Sequence, residues 1–330
     1  MKNVYLAQIS TQYGNSLFIP YSVGCIWAYA QSIQDIAGNY QLKEFLVKRE
    51  PIGDVVKRLV SPAILGVSAY IWNWEYSKAL AAAVKQAHPR CLIIMGGPQV
   101  PNRLEGFFEE HPYVDVLVHG EGEQPFTDIL QWFLDEEKDD VWNVTDVDGI
   151  SFRAVENDQT IQTRHAQRVH NLAPLPSPYL TGIFDVLLQE PYDWQAILET
   201  NRGCPFFCSF CVWGDSALSK FHEFPEDRLL AEIDWFGRQR IRYVYAADAN
   251  FGILPRDVAL TEALAQTKAH HGYPQEFRAC TAKNSGDRVF EIAEILHAAG
   301  MHKGATLSLQ SLDAHTLQAV KRTNIKMDNF

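Results

Sequence analysis

Three of the six cysteines in this 330-residue chain lie within eight residues of one another. They are Cys204, Cys208 and Cys211, spaced CxxxCxxC in the segment NRGCPFFCSFCVWG, and the other three are scattered along the chain. Such a cluster can be a disulfide frame, a zinc site, a dithiol redox pair or the ligand set of an iron–sulfur cluster.

These alternatives make different demands on the thiols. A structural zinc site needs four ligands, and the nearest histidine, His222, lies eleven residues beyond Cys211. A redox pair needs only Cys208 and Cys211 and leaves Cys204 without a role. An iron–sulfur cluster takes one thiolate per iron, so three thiolates on a four-iron cluster leave one iron open. The residues favour the iron–sulfur cluster and leave zinc and redox chemistry open.

Composition narrows the class of protein. The chain is 47% hydrophobic and 12% aromatic, which is ample for a globular core, and its net charge of −11 opposes binding to nucleic acid. The N-terminus lacks the pattern of a signal peptide, and no apolar run reaches the roughly 18 residues of a membrane span. We therefore expect a cytoplasmic protein with reduced thiols and neither a nucleic-acid nor a membrane partner.

The first half alternates strands with helices. A helix is predicted at 75–87, and five mostly apolar strands are predicted at 4–9, 40–47, 63–70, 91–97 and 114–122. Apolar strands with helical crossovers indicate a parallel sheet covered on both faces. The class is therefore α/β, with a flavodoxin-like doubly wound first domain at 1–148, in which ligands bind at the carboxyl ends of the strands.

The second half begins a new series of strands and helices. A hairpin and a proline-rich linker are predicted at 149–190, and the second domain at 191–330. Its four predicted strands lie at 196–203, 243–248, 276–282 and 305–311, and amphipathic helices are predicted at 226–239 and 287–300. Four parallel strands leave an open sheet edge. We expect a partial (β/α) barrel that is truncated at the C-terminus or completed elsewhere.

A CxxxCxxC motif after the first strand of a partial barrel resembles the radical S-adenosylmethionine (SAM) enzymes. The resemblance implies a [4Fe–4S] cluster on Cys204, Cys208 and Cys211, whose open iron binds the amino and carboxylate groups of SAM. Reductive cleavage of SAM would then give methionine and a 5′-deoxyadenosyl radical. The aromatic residues of the loop, including Phe206, Phe207 and Trp213, are expected to limit the access of water.

The same resemblance implies residues that bind SAM. The segment AADANFG at 246–252 follows the second strand of this half, as the family's SAM-binding segment does, but it lacks that segment's glycine pair. The implied SAM-binding residues are Phe210, Asp248, Asn250, Ser308 and Gln310. An ordinary turn at 246–252 is the alternative.

The first half resembles the cobalamin-binding domain that precedes one large class of radical SAM enzymes. The segments LGVSAY (65–70), IMGGPQVP (94–101) and HGEGE (119–123) support this resemblance. The implied cobalamin-binding residues are Ser68, Tyr70, Gly96, Gly97, Pro98, Gly120 and Glu121.

One feature of many cobalamin domains is missing from this sequence. Their Asp-x-His-x-x-Gly motif supplies a histidine to cobalt, whereas residues 8–24 contain no histidine. We expect cobalt without a histidine ligand. Candidates to line its lower face are Tyr13, Asn15, Tyr21 and Ser22, although an ordinary polar loop is the alternative. A structural hydrogen bond is the expected role of His119.

The combined resemblance implies a cobalamin-dependent radical SAM enzyme. The implied reaction transfers a methyl group from methylcobalamin to an unactivated carbon of a small-molecule or peptide substrate, with a flavodoxin or ferredoxin as external electron donor. The alternatives are a radical rearrangement, cyclisation or oxidation without methyl transfer, and a non-catalytic sensor that binds cobalamin or a cluster.

The cysteine motif generates the first prediction. Replacing any one of the three clustered cysteines by alanine should abolish the iron–sulfur cluster after anaerobic reconstitution, because each thiolate ligates one iron. Iron and sulfide analysis measures the loss, with wild type expected to hold about four irons. Alanine at the scattered cysteines is the control and should leave the cluster intact; these are Cys25, Cys91 and Cys280. Loss of the cluster in Cys280→Ala but not in Cys204→Ala would contradict the assignment.

Overall fold

A computed structural model describes residues 1–135, 144–154, 159–214, 220–282, 286–302 and 310–322. The chain divides into two compact units. The first contains residues 1–169 and 175–192, and the second contains residues 170–174 and 193–330. The predicted domain limits at 148 and 190 stay a prediction. Among the described residues, no helix combines the length and the apolar character needed to cross a membrane.

The first unit alternates strands and helices as the sequence predicts. Its strands are β1 (Lys2–Ala7), β2 (Ser16–Phe18), β3 (Tyr40–Leu46), β4 (Pro62–Ser68), β5 (Leu92–Gly96), β6 (Val116–Val118), β7 (Ile150–Arg153) and β8 (Thr160–Gln162). Its helices are α1 (Tyr21–Gln31), α2 (Gln34–Asn39), α3 (Ile52–Arg58), α4 (Trp74–Ala87), α5 (Phe107–Glu110) and α6 (Glu123–Asp135). A single 3₁₀ turn follows at Leu187–Gln189.

All described strands of this unit except β2 form one sheet, in the order β3-β1-β4-β5-β6-β7-β8. Pairing is parallel from β3 through β6. The parallel strands thus have the order 2-1-3-4-5, which is that of flavodoxin-like folds. The predicted fold class is confirmed for this half, and the carboxyl ends of β4, β5 and β6 lie side by side.

Burial explains why these segments are strands. The residues of β4 and β5 are almost all buried, because helices cover both faces of a parallel sheet. On one face, Leu80 and Val84 of α4 pack with Ile93 of β5 and Leu117 of β6 in a single apolar cluster. The amphipathic pattern of α4 places these leucine and valine side chains on its inner face.

Residues 149–169 and 175–190 of the predicted hairpin and linker belong to this unit. Strands β7 and β8 form an antiparallel hairpin that extends the sheet beyond β6. In the proline-rich stretch that follows, Tyr179 stacks on Tyr21 with 5.6 Å between ring centroids. Phe184 is fully buried and occupies the space that a side chain at Gly24 would need. Aromatic burial therefore fixes a stretch whose composition resembles a linker.

The second unit contains the cysteine motif. Its strands are β9 (Asp193–Leu198), β10 (Asn201–Arg202), β11 (His222–Glu223), β12 (Tyr243–Phe251) and β13 (Glu276–Thr281). Its helices are α7 (Glu226–Arg238), α8 (Arg256–His271), α9 (Asp287–Ala298) and α10 (Ala314–Ala319), with one 3₁₀ turn at Val212–Gly214.

Strands β9, β12 and β13 are adjacent and parallel, in the order β13-β12-β9. The short strands β10 and β11 form a separate antiparallel pair. Helices α7 and α8 follow β9 and β12 in the alternation expected of a (β/α) barrel. The predicted fourth strand at 305–311 lies mostly outside the described residues.

A partly buried ion pair in the first unit generates a stability prediction. Asp115 accepts hydrogen bonds from Lys85 Nζ at 2.8 Å and from the Ile93 amide at 2.7 Å. Burial raises the pKa of Asp115, and Lys85 opposes that rise. Lys85→Met should lower the free energy of unfolding by about 2–3 kcal/mol, because it leaves a largely buried carboxylate without its cation.

Urea unfolding of the two proteins measures this change. The matched control is Lys57→Met, because the Lys57–Asp54 pair is exposed, with 81% and 66% of the side chains accessible. An exposed pair contributes little, so the control should change stability by less than about 0.5 kcal/mol. Equal effects of the two substitutions would show that the Lys85 pair has no special role.

Candidate functional site

The site in the second unit is built on the end of strand β9. Asp248 of β12 accepts hydrogen bonds from the amide and hydroxyl of Thr200 at 2.8 and 2.6 Å, and from the Asn201 amide at 3.2 Å. The register explains the contact, because Ala246 pairs with Leu198 and the next inward residues are Asp248 and Thr200. The carboxylate thus fixes the chain three residues before the cysteine loop.

A second group fixes the same turn from outside the sheet. Arg256, at the start of α8, donates to the carbonyls of Thr200 at 2.7 Å and Phe224 at 2.6 Å. The Phe224 amide also donates to the Thr200 carbonyl. Every polar group of the Thr200 backbone is therefore satisfied inside the protein.

Burial controls the charge of Asp248, which is 3% exposed. Desolvation raises the pKa of this carboxyl to about 7, although the donors from Thr200 and Asn201 oppose the rise. The sequence predicts that Asp248 accepts the ammonium group of SAM. In the structure both carboxylate oxygens already bind the protein, and this arrangement favours a structural role. Its contact with SAM stays a prediction.

The cysteine loop begins shortly after this turn. Cys204 and Cys208 are buried, and Cys211 is partly exposed. The Cys211 amide donates to the Cys208 carbonyl in a tight turn, and the Ser209 amide donates to the Val320 carbonyl. The loop is therefore held by backbone contacts on both sides.

The thiols do not form a site for one metal ion. Within the described part of the chain, no three His, Cys, Asp or Glu side chains converge closely enough to bind a single ion. A four-iron cluster takes one thiolate per iron, so its three cysteines need not converge on a single ion.

Asn250 of β12 contacts the motif directly. Its side chain is 1% exposed, and Nδ2 donates to Cys204 Sγ at 3.2 Å. The other end of the amide, Oδ1, is buried and has no hydrogen-bond partner among the described residues. A buried acceptor without a partner costs free energy unless a ligand supplies a donor. This observation fits the ammonium group of SAM beside the cluster.

Other predicted residues of this site have mixed environments. Phe207 and Phe210 are 53% and 52% exposed, so about half of each side chain faces solvent in the described structure. Their role in limiting the access of water stays a prediction. The Arg322 guanidinium lies 6.0 Å from the Phe210 ring. Gln310 is exposed and lies in a bend, and Ser308 lies outside the described residues. SAM binding by Phe210, Ser308 and Gln310 stays a prediction.

The first unit has a separate candidate site at the carboxyl ends of β4 to β6. The fully buried side chain of Asn73 organises this edge, because it accepts from the Tyr70 amide and donates to the carbonyls of Ile9 and Ser68. The Tyr70 hydroxyl hydrogen-bonds to Ser22 Oγ at 2.8 Å. Ser68 and Tyr70 are thus held rigidly at the edge where doubly wound folds bind ligands.

Glycine backbone forms the rest of this edge. Gly97 has a φ of +106°, and a Cβ atom there would lie 2.7 Å from the Ala69 carbonyl oxygen. Gly120 has a φ of +76°, and no described atom lies within 4 Å of a Cβ atom placed there. Gly97 is therefore required by close packing of β5 on β4, and Gly120 leaves open space at the end of β6. A side chain at Gly96 would make only ordinary contact with Val118.

Three further candidate residues follow β5 and β6 in the chain. Glu121 accepts from the Val169 amide at 2.8 Å and lies 3.4 Å from Arg168, so its carboxylate already binds the protein. His119 Nε2 hydrogen-bonds to Ser151 at 2.7 Å, as expected for a structural histidine. Pro98 is exposed. Cobalamin binding by Glu121 and Pro98 stays a prediction.

The candidate residues in the loop after β1 have different environments. Tyr13 is 74% exposed, whereas Tyr21 is buried against Tyr179. Asn15 donates to the Pro191 carbonyl, and Ser22 bonds to Tyr70 as described above. Tyr21 therefore serves the core of this unit, and a role for the others beneath cobalt stays a prediction.

Sequence reasoning missed the residues that position the others. Thr200, Arg256 and Asn73 have no motif of their own. The available signal for Thr200 was its position in the predicted strand, directly before the cysteine segment. Their roles follow from contacts between residues far apart in the sequence, which local patterns do not specify.

The raised pKa of Asp248 generates a pH prediction. A carboxyl whose pKa is about 7 when folded and about 3.9 when unfolded stabilises the folded state at low pH. This contribution is lost as the pH rises toward and through 7. Compared with Asp248→Asn, wild type should lose about 2–3 kcal/mol of unfolding free energy between pH 5 and 8, most of it below pH 7. Urea unfolding at several pH values measures the difference, and a pH-independent difference would contradict the assignment.

Two known domain families match this chain. The B12 binding domain matches residues 35–130, and the Radical SAM superfamily matches residues 198–327. The first match includes β4, β5 and β6, and the second includes the cysteine loop and Asn250. A B12-binding domain implies cobalamin, and a radical SAM domain implies a [4Fe–4S] cluster and SAM. The predicted set of cofactors is confirmed at the level of these domains.

Two curated relatives match nearly the whole chain. The chain is 39% identical over 317 residues to the cobalamin-dependent radical SAM methyltransferase TokK of Streptomyces tokunonensis. It is also 39% identical over 317 residues to the 2-(S-pantetheinyl)-carbapenam-3-carboxylate methyltransferase of Streptantibioticus cattleyicolor. Each alignment covers 95% of this chain and 46% of the relative, so the chain spans about half the length of these proteins.

A solved structure supports the fold independently. The cobalamin-dependent radical SAM enzyme OxsB, with aqua-cobalamin and SAM bound, superposes with a TM-score of 0.71 at 17% identity, covering 100% of this chain and 46% of OxsB. The likeness to this structure extends over the whole chain. The chain therefore contains a segment that matches the B12 binding domain, followed by a segment that matches the Radical SAM superfamily.

Proposed function

We propose that this chain is the cofactor-binding part of a cobalamin-dependent radical SAM methyltransferase that methylates an unactivated carbon. The principal observation is the buried Cys204 thiol at the end of β9, hydrogen-bonded to Asn250, whose carbonyl end has no partner in the described structure. The 39% identity to two methyltransferases over nearly the whole chain supports methyl transfer in particular.

The residues of the second unit bind and orient in this proposal. When bound, the cluster supplies an electron to SAM, and cobalamin carries the methyl group. Cys204, Cys208 and Cys211 hold the cluster through their thiolates. Asp248 fixes the turn before the first cysteine, and Asn250 accepts the ammonium group of SAM through Oδ1.

The residues of the first unit hold cobalamin at the edge formed by β4, β5 and β6. Ser68 and Tyr70 supply polar atoms at a rigid strand end, where Asn73 fixes the backbone. Gly96, Gly97 and Gly120 keep the neighbouring strand ends free of side chains, so that a large ligand can approach the backbone. The protein thus supplies position and shape, while the cofactors supply the reactivity.

The substrate and partners follow from the same comparison. The name of one relative gives a small-molecule substrate, a carbapenam carboxylate. We propose a small-molecule substrate, with a peptide as the broader alternative. An external flavodoxin or ferredoxin would supply electrons, and a cytoplasmic setting would keep the thiols reduced.

Product analysis tests the proposed function. The protein is reconstituted anaerobically with iron, sulfide and cobalamin, then reduced in the presence of SAM with a deuterated methyl group. The probe substrate is 2-(S-pantetheinyl)-carbapenam-3-carboxylate, taken from the name of the relative. The expected products are 5′-deoxyadenosine, S-adenosylhomocysteine and a substrate that has gained one deuterated methyl group, detected by mass spectrometry.

The other outcomes separate the alternatives. Cys208→Ala is the control, and it should form no 5′-deoxyadenosine. Formation of 5′-deoxyadenosine and a changed substrate without S-adenosylhomocysteine would replace methyl transfer by rearrangement, cyclisation or oxidation. Reduced protein that holds both cofactors and never cleaves SAM would instead indicate a sensor.

A further inference from the structure

The amide of Asn250 has two chemically different ends, and both lie in the buried part of the site. Nδ2 is 3.2 Å from Cys204 Sγ, and Oδ1 has no partner among the described residues. A thiolate is only an acceptor of hydrogen bonds, so the N–H end must face Cys204 when that residue ligates iron. The carbonyl end is then oriented away from the thiolate and remains available to a donor.

We infer that Asn250 is a positioning residue that sets the potential of the cluster, because its N–H end stabilises the reduced cluster through Cys204. This inference rests on the proposed function, since it requires a cluster on the three cysteines, and the contact of the carbonyl end with SAM belongs to that proposed function. The potential of the cluster therefore reports on the N–H end of the amide, and the affinity for SAM reports on its carbonyl end.

The effect on potential follows from charge. Adding an electron makes the cluster and its thiolates more negative, so a hydrogen-bond donor to Cys204 stabilises the reduced form more than the oxidised form. Hydrogen bonds to ligating sulfur atoms are a recognised determinant of cluster potentials. The buried position of Asn250, only 1% exposed, reduces screening by water and strengthens the effect.

Two other polar residues of β12 have partners other than the three clustered cysteines. Asp248 lies two residues earlier on the same strand and face, but its carboxylate binds Thr200 and Asn201. Tyr245 is on the same strand, and its hydroxyl contacts Cys280 Sγ at 3.2 Å rather than a cysteine of the motif. Removing the Tyr245 hydroxyl therefore removes a hydrogen bond from β12 without removing any contact to the three clustered cysteines.

Two substitutions separate the two ends of the amide. Asn250→Leu has a similar size and removes both the donor and the acceptor. Asn250→Asp keeps an acceptor for the ammonium group but replaces the donor by a negative charge. Both variants should lower the potential of the cluster, whereas only the leucine variant should lose affinity for SAM.

The measurement uses the full chain, reconstituted anaerobically with iron and sulfide, and it does not depend on turnover. Potentiometry monitored by electron paramagnetic resonance, without SAM, gives the cluster potential. Asn250→Leu should lower the equilibrium constant for one-electron reduction about tenfold, which is about 59 mV. Asn250→Asp should lower it at least as much. Equilibrium dialysis with labelled SAM should show at least a fivefold loss of affinity for the leucine variant alone.

Controls distinguish the possible failures. Tyr245→Phe should leave both the potential and the SAM affinity unchanged. If Asn250→Leu does not assemble a cluster, Asn250→Asp provides the same measurement of potential. Wild-type potential in a variant with normal iron content would overturn the inference and leave the proposed function standing. A wild-type protein that assembles no four-iron cluster would overturn the proposed function itself.

Discussion

The carboxylate of Asp248 determines where the chain leaves strand β9, and the position of the cysteine loop depends on it. Thr200 and Asn201 would otherwise have two unpaired amides at the end of a buried strand. A carboxylate from the neighbouring strand satisfies both amides at once, so the turn is fixed by the sheet itself. Cys204 lies only three residues after Asn201, so the same contacts also fix its position.

A similar arrangement organises the first unit, with a neutral side chain. Asn73 connects the ends of β1 and β4 through the carbonyls of Ile9 and Ser68. In both units, a buried polar side chain satisfies backbone groups that strand pairing leaves free at the carboxyl edge. This edge is where parallel sheets bind ligands, and the same contacts that complete the fold also make the edge rigid.

The sequence predicted the helices and strands better than it predicted the side-chain contacts between them. The helix predicted at 75–87 is α4, and the strand predicted at 243–248 is the first part of β12, because burial gives these segments a clear period. The cysteine spacing identified the motif for the same reason, since its chemistry depends on local spacing. The role of Asp248 could not be predicted in this way, because its partners lie 48 residues earlier and meet it only through strand register.

The difference between Asp248 and Asn250 has an electrostatic reason. Asp248 faces neutral amide and hydroxyl donors, which favour a carboxylate, and burial is the main cost of its charge. Asn250 faces Cys204, which becomes negative when it ligates iron. A carboxylate there would be repelled by the thiolate and would lie near a second buried carboxyl. An amide of the same size donates to the sulfur instead, so the chemistry of each partner explains which residue occupies each position of β12.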